Sequence, residues 1–500
     1  MSTWQQSRQI STRLVLIGAL ELTTPAHLGN GEHDNGVDMV LQRDPLKGHP
    51  LLPGTSLAGA LRAYLQAYEY GDRIAEDKDQ RNALAQTLFG GSKGDPLGNQ
   101  SPLIVDDAFA TQPFSENRDD VRTNGKRRLL TEIRDGVGID PKTRTARPKV
   151  KYDLELLPAG TIFPLRFELL LGKNTEALGQ ALALALQGLE QGAIALGARR
   201  SRGFGRCRVT GWQLVRYDLR TRKGLLDWLQ AEPDLYAVPT DPRPIAELLT
   251  LPSQVDRRNQ ARLTAHFRLA SPLLIRAEQP LRDQDGKPLS GSNHPDVIQI
   301  VNAAGQPVLP GTSLAGALRA RAERILRTFH PDDRVKDRLE GLFGWTLDRE
   351  QAKPQKGQTK PQTTSSRLLV EEARITQART LVQNRVSLDR FTGGAYDTAL
   401  FSEAPCVAGE VTTVITIINP QEHDVGLLLL LLKDLWTGDL PLGGSASVGR
   451  GRLEGIEATL TYQGETWHIQ ATAEQRLQIT GDRAKLEQYV AKVVQAGALS

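Results

Sequence analysis

Residues 53–63 read PGTSLAGALRA, and residues 310–320 repeat the same letters without a change. Chance does not produce identity of this length within one chain, so a whole structural unit has been duplicated. Within the repeat, Pro-Gly predicts a turn, and Leu57, Leu61 and Leu65 then recur at the spacing of one helical face. The repeated stretch is therefore predicted to be a turn that opens a helix in each half of the chain.

Shorter matched stretches extend the duplication over nearly the whole chain. They pair LFG at 88–90 with LFG at 342–344, SPLIVDDA from Ser101 with SRLLVEEA from Ser366, VGIDPKTRTA from Val137 with VSLDRFTGGA from Val386, and ALGARRSRGFGRCRV from Ala195 with PLGGSASVGRGRLEG from Pro441. A period of about half the chain excludes short solenoid repeats, and it predicts two related domains in tandem.

Composition excludes several classes of protein. The longest apolar run, residues 427–432, is far shorter than the roughly 20 residues that a membrane helix needs. The N-terminal residues lack the apolar core of a signal peptide. Two cysteines, Cys207 and Cys406, have the spacing of neither a disulfide framework nor a metal site. We expect a cytoplasmic protein that has no membrane partner.

Positive charge is concentrated in two segments, although the net charge of the chain is only +4. Residues 121–151 hold ten Lys and Arg residues against three acids, and residues 197–208 hold five arginines and no acid. A single basic stretch is often only a solvated face. Two such stretches in irregular, glycine-rich segments favour a polyanionic partner instead.

Strand-like and helix-like segments follow the same order in both halves: strand-helix-strand, a variable hairpin, then strand-helix-strand. This order predicts the α+β class, with two tandem ferredoxin-like (RRM-like) domains that carry inserted hairpins. The predicted parts are a first domain, a linker with a short helix, a second domain and a C-terminal tail with a helix, at residues 1–217, 218–258, 259–470 and 471–500. Residues 351–366 have a low-complexity composition that predicts a disordered loop.

Taken together, these motifs resemble a known family. A first strand, a loop containing HLGNG and an Asp, then RDP, PGTSLAGALR, LFG and finally GFGR follow one another in the first half. This succession resembles the RAMP (repeat-associated mysterious protein) superfamily and, more narrowly, the backbone subunits of type III CRISPR RNA-guided effectors. The two-copy fusion is similar to the double backbone subunit of type III-D variant complexes.

The resemblance implies a fold, partners and an activity. Such subunits stack along a CRISPR guide RNA together with other effector subunits, and a projecting hairpin, the thumb, kinks the guide at regular intervals. The resemblance places thumbs at residues 121–150 and 377–398, with Ile139 and Leu388 as wedges against a kinked base. An Asp in the loop after the first strand then supports cleavage of the target RNA near each kink.

Two aspartates are the candidate catalytic residues. Asp38 lies in a polar loop fifteen residues before Pro53, where the family has its cleaving Asp. Counting back equally from Pro310 reaches Pro295, so Asp296 takes the catalytic position only after a one-residue deletion. A carboxylate there can act as a base or hold a divalent metal, for which we expect Mg or Mn although no metal-binding motif is present. A solvated loop acid is the alternative for both residues.

Candidate RNA-binding residues come from three kinds of segment. The start of the repeated helix offers free N–H groups to a phosphate, while the glycine-rich loops at 197–206 and 443–452 combine N–H groups with guanidinium groups. A histidine in the first loop matches one that the family often has there, and Leu274 replaces it in the second copy. The predicted RNA contacts, besides the two wedges, are His27, Ser56, Arg62, Arg199, Arg202, Arg206, Ser313, Arg319, Arg450 and Arg452.

The sequence leaves other functions open. The same chain could be a backbone scaffold that binds guide RNA without cutting, or an endoribonuclease of the same superfamily that processes CRISPR RNA, usually through a His. A scaffold without nucleic acid is a third alternative. The repeated helix start could equally be a well-capped core helix with a tight glycine contact, and each hairpin could be an ordinary exposed hairpin.

Overall fold

The computed structural model describes residues 10–31, 37–71, 84–91, 100–111, 131–140, 143, 145–172, 176–277, 295–344, 365–472 and 477–495. The chain forms two compact units. The first comprises Met1–Arg134, Tyr152–Arg200 and Phe204–Arg258, and the second comprises Asp135–Lys151, Ser201–Gly203 and Asn259–Ser500. Both units mix helices with antiparallel sheets, which confirms the predicted α+β class.

The first unit is built on a four-stranded antiparallel sheet. Its strands are β1 (Thr12–Leu22), β3 (Leu103–Val105), β7 (Ile162–Leu171) and β8 (Cys207–Asp218), in the spatial order β3-β7-β1-β8. Helices α1 (Gly54–Tyr70), α2 (Leu84–Phe89) and α3 (Glu176–Glu190) join the same apolar core as this sheet. The short strands β2 (Leu51–Leu52) and β4 (Ala108–Phe109) pair with each other beside α1.

The second unit repeats this arrangement and extends it. Strands β9 (Gln260–Leu269), β13 (Leu368–Val370), β19 (Glu410–Ile418) and β20 (Leu453–Tyr462) pair in the order β13-β19-β9-β20. Helices α6 (Gly311–Phe329), α7 (Asp332–Phe343) and α8 (Glu422–Trp436) share its core. The second unit also has six short strands, which are β10 (Arg276–Ala277), β11 (Val297–Gln299), β12 (Val308–Leu309), β14 (Ala373–Thr376), β15 (Arg379–Thr380) and β18 (Cys406–Val407).

Each half of the chain also carries a pair of long strands outside its main sheet. The first hairpin consists of β5 (Glu132–Ile139) and β6 (Ala146–Leu156). The second hairpin consists of β16 (Gln383–Leu388) and β17 (Ala395–Ala404), paired antiparallel. The sequence placed thumbs at 121–150 and 377–398, so the observed strands run several residues farther along the chain. Residues 121–130 of the first prediction lie outside the described residues.

The predicted linker and the predicted C-terminal tail both contain regular structure. The predicted linker forms α4 (Arg222–Gln230) and α5 (Ile245–Leu248), and Ile245 is buried in the first core. Residues 471–500 were predicted to be a tail, but β21 (Glu465–Ala471) and β22 (Leu477–Thr480) extend the second sheet, and α9 (Arg483–Gln495) buries Leu486, Tyr489 and Val493 in its core. The C-terminal segment is therefore part of the second unit. The predicted disordered loop lies, up to residue 364, outside the described residues.

Candidate nucleic-acid interface

Asp38 is held against the base of the first hairpin. Its carboxylate is exposed, and its Oδ2 accepts a hydrogen bond of 2.9 Å from the backbone N–H of Asp153 in β6. Met39, the next residue, pairs in parallel with Leu154. The loop therefore lies beside the hairpin as a short extra strand, which fixes the position of Asp38.

Asp296 is held in the same way in the second unit. Its Oδ2 accepts hydrogen bonds from the backbone N–H and the Oγ–H of Ser402 in β17, at 2.8 and 3.2 Å. Val297 pairs in parallel with Glu403, just as Met39 pairs with Leu154. The structure thus makes Asp296, rather than Pro295, the counterpart of Asp38, which is the register that a one-residue deletion requires.

Arg199, in the first glycine-rich loop, contacts residues next to Asp38 and Asp153. Its guanidinium donates a hydrogen bond to the hydroxyl of Tyr152, lies 4.2 Å from the centre of that ring, and contacts the sulfur of Met39 at 3.8 Å. No carboxylate pairs with Arg199 among the residues that the structure describes. Arg199 therefore contacts the residues next to Asp38 and Asp153, namely Met39 and Tyr152, at the base of the first hairpin.

Backbone torsions show that the two glycine-rich loops have the same conformation. Arg199 and Ser445 are equivalent, and both have left-handed backbones, with φ of 57° and 60°. The glycines at 197, 203 and 205 and those at 443, 449 and 451 also have positive φ, in matching order. Residues other than glycine rarely adopt this backbone conformation. Arg199 therefore carries a backbone cost that a packing role alone does not require.

A buried network supports the Asp38 loop from behind. Glu155 pairs with Arg43 at 2.6 Å and also accepts a hydrogen bond from the N–H of Leu41. His27 is 5% exposed, and its Nδ1–H donates to the backbone carbonyl of Glu155 at 2.9 Å. His27 was predicted to contact RNA directly. Because its ring lies inside the unit, it is better placed to position this loop.

The start of the repeated helix differs from the sequence prediction. Helix α1 begins at Gly54, whose N–H donates to the carboxylate of Asp107 at 2.7 Å, so this N–H is already taken by an anion of the chain itself. A Cβ on Gly54 would lie 2.2 Å from the carbonyl oxygen of Val105, and one on Gly311 would lie 2.3 Å from that of Val370. Both glycines therefore serve close packing of the helix on its strand, and they do not make room for a phosphate.

Arg450 and Arg319 also differ from their predicted role. Arg450 is 3% exposed, and it donates to Glu403 and Gln383 at 2.7 Å each. Arg319 donates to the carbonyl of Gly344 at 2.9 Å, and its partial burial lowers its pKa. The Arg450 guanidinium is therefore committed to the protein, whereas Arg319 is held at one end, through Nη1.

The other predicted contacts lie nearer the surface. Ile139 and Leu388 stand at the ends of β5 and β16, and they are 57% and 60% exposed. Each precedes an Asp whose carboxylate accepts from the N–H of a Thr three residues later, at 3.0 Å from Thr143 and 2.9 Å from Thr392. The remaining predicted residues are exposed or half-buried, and they are Ser56, Arg62, Arg202, Arg206, Ser313 and Arg452.

One further acidic residue at the first site was not predicted. Asp153 follows Tyr152 in β6, and its Oδ1 is buried without a hydrogen-bond partner among the described residues. Together, Asp38 and Asp153 offer two neighbouring carboxylates, a donor set that suits Mg²⁺ with its remaining water ligands. No group of three or more His, Cys, Asp or Glu side chains able to hold a metal occurs in the described part of the chain.

Tyr152, Asp153 and Ser402 were not predicted, because the predicted thumbs end before the hairpin bases. Each of these residues is identified by its place beside a loop aspartate more than 100 residues away, and no local sequence pattern reveals such a pairing. Separately, none of the described helices has the length and apolar character needed to cross a membrane.

Comparisons with known proteins agree with the internal duplication. The RAMP superfamily model matches the chain twice, over residues 19–208 and 266–454. Over 215 residues the chain is 27% identical to the CRISPR system Cms endoribonuclease Csm3 of Streptococcus thermophilus, which covers 41% of this chain and 93% of that protein. It is 26% identical over 216 residues to the protein of the same name from Mycobacterium tuberculosis, covering 40% of this chain and 86% of that protein.

Proposed function

Because the chain belongs to the RAMP superfamily, we propose that it is a two-copy backbone subunit of a type III CRISPR ribonucleoprotein. In this proposal it binds guide RNA alongside other effector subunits and cleaves complementary target RNA, as the double backbone subunit of a type III-D variant would. The observation that carries the proposal is the matched placement of Asp38 and Asp296. Each carboxylate is exposed and each is fixed by a backbone N–H of a hairpin strand.

The proposed architecture is a pair of ferredoxin-like domains with thumbs. The strand orders β3-β7-β1-β8 and β13-β19-β9-β20 support this assignment, as do the helical connections of each sheet, with two helices after its first strand and one before its last. The hairpins support the thumb assignment, since each ends in an exposed aliphatic residue, Ile139 or Leu388, followed by an aspartate-stabilised turn. In this role the two aliphatic side chains wedge against a base of the bound strand.

The first site has the groups that cleavage of RNA by its own 2′-hydroxyl needs. Asp38 would take the proton of the 2′-OH, whose oxygen then bonds to phosphorus while the bond to the 5′-oxygen breaks. The leaving 5′-oxygen takes a proton from water, so the products are a 2′,3′-cyclic phosphate and a 5′-hydroxyl end. Arg199, held by Tyr152, would stabilise the charge that builds up on the phosphate oxygens. A kinked strand supplies the in-line geometry.

A divalent cation fits the first site better than the second. Asp38 and Asp153 would hold it, and it would supply charge neutralisation at the phosphate when bound. In the second unit the residue equivalent to Asp153 is Ser402, so Asp296 has only a hydroxyl beside it. We therefore propose cutting at Asp38 in the presence of Mg or Mn, and weaker cutting at Asp296.

The test uses the reconstituted complex with guide RNA and an end-labelled target. Asp38→Asn keeps an acceptor for the N–H of Asp153 but removes the base, so cutting at one position should fall by about 10²- to 10⁴-fold while guide binding is unchanged. Asp44→Asn is a matched control. Asp44 lies in the same loop, but its carboxylate accepts from the N–H of Lys47 at 2.8 Å and closes a turn, so this variant should cut normally.

The alternatives predict different results in the same experiment. A scaffold that does not cut would show no change in the cleavage map with Asp38→Asn. A CRISPR RNA processing nuclease would cut repeat RNA with the purified chain alone, without a guide. A protein that binds no nucleic acid would retain no RNA in a salt-dependent manner. Any of these outcomes would contradict the proposed function.

A further inference from the structure

The base of the second hairpin contains a cluster of three arginines around one buried glutamate. Glu403 is 1% exposed. Its Oε2 lies 2.7 Å from Arg450 and 3.2 Å from Arg385, and its Oε1 lies 3.8 Å from Arg276. A guanidinium stays charged at any pH that proteins experience, so the cluster contains three positive charges against one negative charge.

The excess charge resides on the two arginines that face solvent. Arg450 is buried and fully occupied by Glu403 and Gln383, so this pair is already neutral. The side chains of Arg276 and Arg385 are 61% and 33% exposed, and each is only at the edge of the Glu403 carboxylate. A buried carboxylate needs one such partner to be compensated. Two additional guanidinium groups repel each other unless an anion lies between or above them.

The cluster lies next to Asp296. Glu403 follows Ser402, whose N–H and Oγ–H hold the Asp296 carboxylate, and Glu403 pairs with Val297. Arg276 pairs with Gln299 on the strand that starts just after Asp296. Successive side chains of a strand point to opposite faces, so an anion bound by Arg276 and Arg385 would lie on the Glu403 face of this small sheet, whereas Ser402 holds the Asp296 carboxylate on the other face.

The fold itself does not require these charges. Matching the two copies by strand pairing and, for the hairpin, by their repeated sequence places Gly29 opposite Arg276, Gly136 opposite Arg385, Leu154 opposite Glu403 and Phe204 opposite Arg450. In the first copy Leu154, Leu156 and Phe204 form a small apolar core against Met39, and a buried pair, Glu132–Arg134, lies nearby on β5. The shared backbone therefore does not require charge at these four positions.

We propose that Arg276 and Arg385 form a phosphate-binding site that is specific to the second unit. The ligand is a phosphodiester group of the bound RNA, and two guanidinium groups beside the same carboxylate suit its paired oxygens. This inference rests on the proposed function in so far as the chain binds RNA. It adds that the two copies hold the strand by different means: the second uses Arg276 and Arg385, whereas the first has Arg199.

The test compares the full-length chain with its Arg276→Gln/Arg385→Gln variant. Binding of a fluorescein-labelled single-stranded RNA is measured over a range of salt concentrations. The variant should bind more weakly, and the slope of log K against log salt should fall by about 1.4, which is about 0.7 for each arginine that no longer binds a phosphate. The Arg450–Glu403 pair is untouched, so the melting temperature should stay near that of the unmodified chain.

Arg483→Gln is the matched control, because Arg483 is also exposed in the second unit but pairs with Glu487 on α9. It should leave affinity and slope unchanged. If the unmodified chain binds RNA and the double variant shows the same affinity and slope, the site assignment is wrong while the proposed function stands. If the unmodified chain itself shows no salt-dependent binding, the proposed function fails together with it.

A second measurement distinguishes a polynucleotide from a free anion. Inorganic phosphate is added to the unmodified chain and to the double variant, and thermal stability is recorded. Stabilisation of the unmodified chain alone, combined with an unchanged RNA slope in the variant, would show a site for free phosphate and overturn the assignment to RNA. A lowered RNA slope in the variant supports the assignment.

Discussion

At the base of the first hairpin, Leu154 and Phe204 pack together, whereas at the base of the second hairpin the equivalent residues Glu403 and Arg450 form a buried ion pair. The adjoining loops share their pattern of left-handed residues, and Met39 and Val297 pair with equivalent strands. The same local backbone therefore accepts an apolar pair in one copy and an ionic pair in the other. The charge around each aspartate is therefore free to differ between the copies, and only the placement of the aspartates is shared.

The largest expected effect comes from exchanging the ionic pair for the apolar one. Arg450→Phe alone leaves the buried carboxylate of Glu403 with only Arg385 and the more distant Arg276, and it should cost about 3 kcal/mol of stability, the low end for breaking a buried pair. Glu403→Leu/Arg450→Phe recreates the pair of the first unit but removes the carboxylate beside Arg385, so its loss should be smaller than that of the single variant without reaching zero. Chemical denaturation of both variants measures this. Equal losses in the single and double variants would show that the two interiors are not interchangeable.

Arg199 gives the next largest effect, on activity rather than stability. Removing a charge-assisted contact to the reacting phosphate with Arg199→Ala should slow cutting at the Asp38 position by about 10- to 100-fold. Arg199→Lys should restore only part of the rate, because an ammonium lacks the planar guanidinium geometry. A purely structural role would instead lower the melting temperature and leave the single-turnover rate of the folded fraction unchanged.

The reverse substitution, Ser445→Arg, tests whether the arginine accounts for the difference in cutting between the two sites. Ser445 has the same left-handed backbone as Arg199, so Ser445→Arg needs no new backbone conformation. It should raise cutting at the Asp296 position by a factor of about 10, the inverse of the smallest loss expected at Arg199. The single-turnover rates at both positions, measured on one labelled target, give the ratio. An unaltered ratio would mean that the arginine is not what separates the two sites.

The smallest effect concerns the cysteines, which occupy different positions in the two units. Burial raises the pKa of Cys207 to about 12 and that of Cys406 to about 11. Both thiols should therefore stay protonated and resist a thiol reagent near pH 8 until the chain unfolds. Since the unfolded thiols ionise first, their contribution to stability is present below about pH 9 and is lost as the pH rises toward about 12. Rapid labelling of the native chain would contradict this.

Much of the fold could be predicted because its signal is local and repeated. The identical stretches at 53–63 and 310–320 identify the helix start in both units, and the alternating segments identify the α+β class. Asp38 is selected through the family resemblance, from its place before that helix. Asp296 is selected only by assuming a one-residue deletion, because its register depends on a hydrogen bond to Ser402, 106 residues away.

The roles of the arginines were the least predictable part. Arg199 and Arg450 occur in equivalent glycine-rich loops and look alike in sequence. Their contacts differ because Arg450 pairs with the carboxylate of Glu403, which lies 47 residues earlier in the chain, whereas Arg199 donates to the hydroxyl of Tyr152. Arg276 and Arg385 carry no motif at all, and only the folded chain brings them to the same carboxylate.

The most direct test of the central claim is a cleavage map of one target RNA with the Asp38→Asn and Asp296→Asn complexes side by side. Two equivalent carboxylates in one chain predict that each variant loses a different cut, that the lost cuts are neighbours along the target, and that the Asp38 cut is the stronger in the unmodified complex. If both variants lose the same cut, or if neither loses any, the two sites are not the matched cutting positions that their geometry indicates.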